Sequence, residues 1–239
     1  MPILSVTKVN IHFGGLAAVV DLSFDVKPGE AMGVMGPNGA GKSTLLSIVS
    51  GVYKPDSGTI EFKKRNITGL APHRICHLGI ARTYQIPQPF VNSTVLQNLI
   101  VAAEYGRGLG YAAAESEAQK ILDMVDLSGK GNVFARDLTA ITLKRLELAR
   151  ALATKPTLLL LDEVAAGLTE EEIPQVLKIL QRVREMGMTF IMIEHVMRVM
   201  IKAVDRIIVM DKGSKIAEGS PDEVMKNKKV IEAYLGKSA

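Results

Sequence analysis

The sequence predicts an α/β fold: a mainly parallel sheet with an N-terminal antiparallel β subdomain and an inserted helical subdomain. Three observations point there: an opening stretch that alternates with period two, a middle stretch with helical period, and a closing stretch in which short apolar runs trade places with amphipathic ones. Ser5–Ile11 and Leu22–Val26 alternate as half-buried strands do, and the turn Lys27-Pro28-Gly29-Glu30 leads into the apolar strand Ala31–Met35. From about Ala71 to Leu127 the pattern turns helical, with helices expected over Thr94–Glu104 and Ala112–Val125 on either side of the glycine-rich Tyr105–Gly110. A helix over Lys144–Ala153, a strand over Leu158–Leu161, a helix over Glu170–Glu185 and strands over Met188–Ile193 and Ile207–Met210 follow. That rhythm belongs to a parallel sheet covered on both faces.

Composition narrows the classes. The 239 residues are 47% hydrophobic and 23% charged, which is globular rather than disordered. Mean hydropathy is +0.19, yet the longest strictly apolar runs, Leu16–Val20 and Leu99–Ala103, are five residues against the ~20 of a spanning helix. Met1–Ser5 has no basic or apolar leader pattern, and a single Cys76 cannot form an internal disulfide. A reducing cytoplasm is expected. The net charge of +4 suits anionic partners without naming one.

Gly36-Pro37-Asn38-Gly39-Ala40-Gly41-Lys42-Ser43-Thr44 follows an apolar strand and opens a helical run. Glycines at that spacing let backbone N–H groups wrap phosphates, Lys42 reaches the β- and γ-phosphates, and the Ser43 hydroxyl meets Mg²⁺. The sheet is therefore expected to be a P-loop NTPase core. Leu158–Leu161 ends on Asp162-Glu163, two acids at the edge where open α/β sheets bind ligands. Asp162 is expected to complete the Mg²⁺ shell and Glu163 to activate the attacking water.

Phosphate loop, helical insertion and an apolar strand ending in Asp-Glu together resemble the nucleotide-binding subunit of an ABC transporter, over essentially the whole chain. The resemblance implies a single ABC ATPase domain over residues 1–239, with an ATP-binding core over 1–85 and 153–239 and a helical subdomain over 86–152. It implies that Gln85, after the short strand before it, is the glutamine that senses Mg²⁺ and links to the membrane partner. His195 resembles the histidine that contacts the γ-phosphate, and Phe13 the aromatic that stacks on adenine. The resemblance also implies peripheral attachment to integral-membrane subunits at the cytoplasmic face of the membrane, and head-to-tail pairing with a second ABC ATPase.

The signature slot departs from the family. Leu138-Thr139-Ala140-Ile141-Thr142 stands where Leu-Ser-Gly-Gly-Gln is usual. Thr139 keeps a hydroxyl, whereas the Cβ atoms of Ala140 and Ile141 obstruct close backbone approach to a phosphate. Val164 after Glu163 and the run Ala166-Gly167-Leu168-Thr169 depart too. The chain's own loop is thus expected to be competent and the reciprocal site weakened, which favours a heterodimer. Phe13–Leu16, Arg82–Phe90, Ile193–Met197 and Val230–Gly236 resemble the subgroup that energises import of branched-chain amino acids, which implies import of these or related small polar solutes, served indirectly by a solute-binding protein. Leu99–Ala103 reads equally as a groove for a membrane-subunit helix or as helical core. Two alternatives stay open: a soluble ABC-type ATPase acting on nucleic acid or ribosomes, and a nucleotide-binding regulator with weak catalysis. The first lacks zinc-spaced cysteines or a coiled-coil insertion, so no nucleic-acid partner is expected.

Overall fold

The computed structural model describes residues 1–235, so Gly236 of the closing run and the rest of 236–239 lie outside it. In chain order the elements are β1 (Leu4–Phe13), β2 (Leu16–Val26), β3 (Ala31–Met35), α1 (Lys42–Val49), β4 (Ser57–Phe62), β5 (Arg65–Asn66), α2 (Pro72–Leu78) and β6 (Ile80–Arg82). There follow α3 (Val95–Arg107), α4 (Tyr111–Met124), α5 (Ala140–Ala153), β7 (Leu158–Asp162), α6 (Ile173–Glu185) and β8 (Thr189–Ile193). The chain closes with α7 (Met197–Ala203), β9 (Arg206–Asp211), β10 (Ser214–Gly219), α8 (Pro221–Met225) and α9 (Lys228–Leu235).

Two sheets form. One is antiparallel, in the order β2-β1-β4-β5; the other runs β10-β9-β3-β8-β7-β6, parallel except where β10 meets β9. In the parallel sheet Val34 pairs with Ile193 and Ile193 with Asp162, so β3, β8 and β7 end level at one edge. Whatever follows those strands converges there.

The apolar strands are explained by burial on both faces. Leu158 and Leu160 belong to a core shared with α1 and the antiparallel sheet, while Leu159 and Leu161 belong to a second core shared with α3, α4, α5 and α6. At about 1.5–3 kcal/mol per fully buried aliphatic side chain, such a strand stabilises both layers at once.

Several boundaries differ from expectation for local reasons. β2 starts at Leu16, because Gly14 adopts φ 58° and closes a tight hairpin in which Phe13 pairs with Leu16. The helical stretch expected from Ala71 is interrupted by β6, which adds to β7 as a short edge strand. α5 begins at Ala140 rather than Lys144, with Thr139 extended as its N-cap, and α6 begins at Ile173 rather than Glu170, with a proline in its first turn. α3 runs Val95–Arg107 rather than Thr94–Glu104, with Thr94 as its N-cap in a reciprocal pair with Gln97.

Candidate functional site

The phosphate loop leaves β3 through glycines that no other residue can replace. Gly36 has φ 148° and a Cβ there lies 2.1 Å from the Met210 carbonyl oxygen; Gly41 has φ 97° and a Cβ 2.2 Å from that of Ala18. Lys42 opens α1 and is 6% exposed. Its ammonium donates to the carbonyls of Gly36 (2.8 Å) and Pro37 (2.9 Å). Burial lowers the Lys42 pKa, and the nearby Glu163 and Asp162 charges partly offset this. Asn38–Thr44, Phe13, Glu163 and His195 line one cleft of 280 Å³. Phe13 is half-exposed at its mouth, edge-on to Tyr53 with ring centroids 5.1 Å apart.

Asp162 and Glu163 face different surroundings. Asp162 is buried at 5% exposure, with Oδ2 paired to Arg82 at 2.8 Å and Oδ1 left without a hydrogen-bond partner. A buried acceptor left unpaired costs about 1–3 kcal/mol. One carboxylate oxygen together with the hydroxyl of Ser43 fits the donor set that Mg²⁺ takes alongside phosphate oxygens. Glu163, one residue on, turns into the cleft with φ 50°. Its Oε1 lies 3.0 Å from His195 Nε2, and its Oε2 accepts from Gln85 Nε2 at 2.7 Å. Gln85, Glu163 and His195 therefore meet, although they are far apart in the chain.

The signature-like residues Leu138–Thr142 are not among those lining this cleft. Thr139 and Ala140 are exposed, Ile141 is half-buried, and the Thr139 and Thr142 hydroxyls bond each other at 2.8 Å. α5 still touches the site through its second turn, where Lys144 Nζ donates to the Glu163 carbonyl at 2.9 Å. The run Leu99–Ala103 divides: Leu99, Ile100 and Ala103 are core, while Val101 and Ala102 line a 480 Å³ groove with Cys76, Phe90 and Tyr105.

Three residues that sequence reasoning passes over hold the site. Arg82 joins Asp162 to the start of α1, donating to the Ser47 hydroxyl at 2.9 Å, which in turn donates to the Ser43 carbonyl at 2.7 Å. Lys144 is the second. Glu194, 3% exposed, accepts the N–H groups of Ala165 (2.5 Å), His195 (3.0 Å) and Val196 (3.2 Å), so it ties the loop after Glu163 to the loop carrying His195. Burial raises the Glu194 pKa despite those bonds and the Lys144 charge. Only the identity of Glu194 beside His195 hints at this from sequence; Ala165, which it joins to its own loop, lies 29 residues away in the turn after β7.

Comparison with known proteins agrees with this architecture. The family described as ABC transporter matches residues 19–166, and one described as branched-chain amino acid ATP-binding cassette transporter matches residues 214–239. A probable branched-chain amino acid transport ATP-binding protein LivG of Archaeoglobus fulgidus is 38% identical, with 99% of this chain and 96% of the relative covered. The high-affinity branched-chain amino acid transport ATP-binding protein LivG of Escherichia coli is 35% identical, with 99% of each covered. Among solved structures, the ADP conformation of an ATP-binding cassette of an ABC transporter superposes with a TM-score of 0.89 at 32% identity, covering 99% of this chain and 100% of the other.

Proposed function

The chain belongs to the ABC transporter family of ATP-binding subunits, and from that premise we propose that it hydrolyses ATP to energise import of branched-chain amino acids. The observation that carries the mechanism is the meeting of Gln85 and His195 on Glu163 beside the phosphate loop. Lys42 neutralises the β- and γ-phosphates, with the loop N–H groups of Gly39–Thr44 around them. Ser43, Asp162 Oδ1 and Gln85 would hold Mg²⁺, which when bound would neutralise charge on the phosphates. Phe13 stacks on adenine. Gln85 and His195 hold water against the γ-phosphate and Glu163 takes its proton as the water oxygen bonds to phosphorus and the bridge to the β-phosphate breaks.

The reading gives residues 1–85 and 153–239 to the ATP-binding core and 86–152 to the helical subdomain, with 236–239 outside the described residues. It pairs the chain with a second ABC ATPase, a heterodimer being favoured by Ala140 and Ile141, whose signature completes the site on this loop. No helix among the described residues is long and apolar enough to cross a membrane; the reading attaches the chain peripherally to integral-membrane subunits at the cytoplasmic face, as befits an ATP-binding subunit of a transporter. The groove lined by Val101, Ala102 and Phe90 receives a membrane subunit. Both full-length relatives are named for amino-acid transport, which favours this reading over a nucleic-acid ATPase. The test is the assembled transporter in vesicles. Glu163→Gln should abolish ATP hydrolysis and uptake while retaining ATP binding; near-normal turnover would overturn the assignment of the base.

A further inference from the structure

We propose that Tyr234, on the last turn of α9, is a positioning residue for the phosphate loop, its hydroxyl fixing the backbone at Gly36 against which Lys42 is set. The Gly36 N–H donates to the Tyr234 hydroxyl oxygen at 2.8 Å, across 198 residues of sequence. The carbonyl of the same glycine accepts the Lys42 ammonium at 2.8 Å. Two torsions separate that N–H from that carbonyl, and at Gly36 no side chain stiffens them, because a Cβ would strike the Met210 carbonyl. A loop that must be glycine here needs its anchor from elsewhere in the fold, and α9 provides one.

α9 is seated well enough to do so. Val230 is 4% exposed in the core shared with the helices; Tyr234, one helical turn later on the same face, is itself 44% exposed, so its ring lies at the surface while its hydroxyl reaches in to Gly36. Val224 of the preceding α8 is likewise buried. Burial pushes the Tyr234 phenol above its ordinary range, so the hydroxyl keeps its proton at neutral pH. Tyr234 does not line the nucleotide cleft; it acts on nucleotide only through Gly36. Holding the loop in its wrapped form before phosphate arrives reduces the ordering cost of binding.

The inference rests on the loop over Gly36–Thr44 being the phosphate site. It is tested on the full chain by calorimetric titration with Mg-ATP and with ADP, comparing wild type with Tyr234→Phe, which keeps the ring and removes only the hydroxyl. Tyr234→Phe should weaken both nucleotides about 3- to 10-fold, the worth of one hydrogen bond. In the assembled transporter it should raise KM for ATP with kcat held. The Gly36 amide should exchange faster in the variant, and by reciprocity ADP should slow amide exchange over residues 230–234 in wild type. Unchanged affinity in the variant, or no protection of 230–234 by ADP, would overturn the proposal while leaving the loop's role intact. A wild-type chain that binds no Mg-ATP would instead refute the reading of the loop, and this inference with it.

Discussion

Glu163 holds a left-handed backbone conformation that costs a non-glycine residue about 1–3 kcal/mol, and it persists because its neighbours over-determine it. Its N–H donates to the Ile193 carbonyl at 2.9 Å, and its own carbonyl accepts both Lys144 and the Ala166 N–H. Lys144→Met removes one of these ties without touching the carboxylate, so kcat should fall about 10-fold with KM little changed, as steady-state ATPase assays will show. Glu194 carries a pH signature. Its folded pKa is raised, so between the unfolded value of ~4.3 and the folded one the native state binds more protons, and its contribution to stability falls as pH rises through that window. The stability difference between wild type and Glu194→Gln should therefore shift against wild type as pH is raised from about 4, which denaturant midpoints at a series of pH values will measure. Lys42, Asp162 and Glu163 are legible in the sequence because loop chemistry and strand ends are local patterns. Arg82, Lys144 and Glu194 are not, because what they do depends on which strands and helices lie side by side.

At the scale of elements, long periodic segments read well and polar edges do not. α3 and α4 follow from their repeating apolar faces, whereas β4, β5 and β10 pass unseen because they are mostly polar residues and glycine rather than an apolar run, β5 and β10 as sheet edges and β4 between β1 and β5. α5 shows where a boundary matters to function. Thr139 stands at its N-cap position and Ala140 and Ile141 fill its first turn, the place where the family's glycines bring backbone N–H groups to a partner's nucleotide. Restoring them with Ala140→Gly and Ile141→Gly together should raise turnover of the complete transporter if the reciprocal site limits it. A backbone donor regained at a phosphoryl transition state is worth about 10²–10³ in rate at that site. The same change should lower stability by up to about 1 kcal/mol per glycine in the helix, so thermal midpoint and ATPase rate should move in opposite directions.

Over the whole molecule, the parallel sheet is shared property: one face packs on α1 and the antiparallel sheet, the other on the helices. That sharing accounts for a hydropathy high for a chain with no spanning helix among its described residues. Leu160→Ala should cost about 2–5 kcal/mol, and because β7 joins both layers the loss should appear as one lowered transition, seen together by near- and far-UV dichroism, rather than two. β7 also has a parity. Its four leucines are alike, so their identities cannot tell one register from the next; only the number of residues between the turn before Leu158 and the edge decides which side Asp162 meets. Deleting one leucine would leave the run before Asp162 wholly apolar and yet exchange the sides on which the two acids emerge. Deleting two would restore the sides but draw both acids back by about 6.6 Å from the phosphate loop. In β7 it is count, not composition, that aims the chemistry.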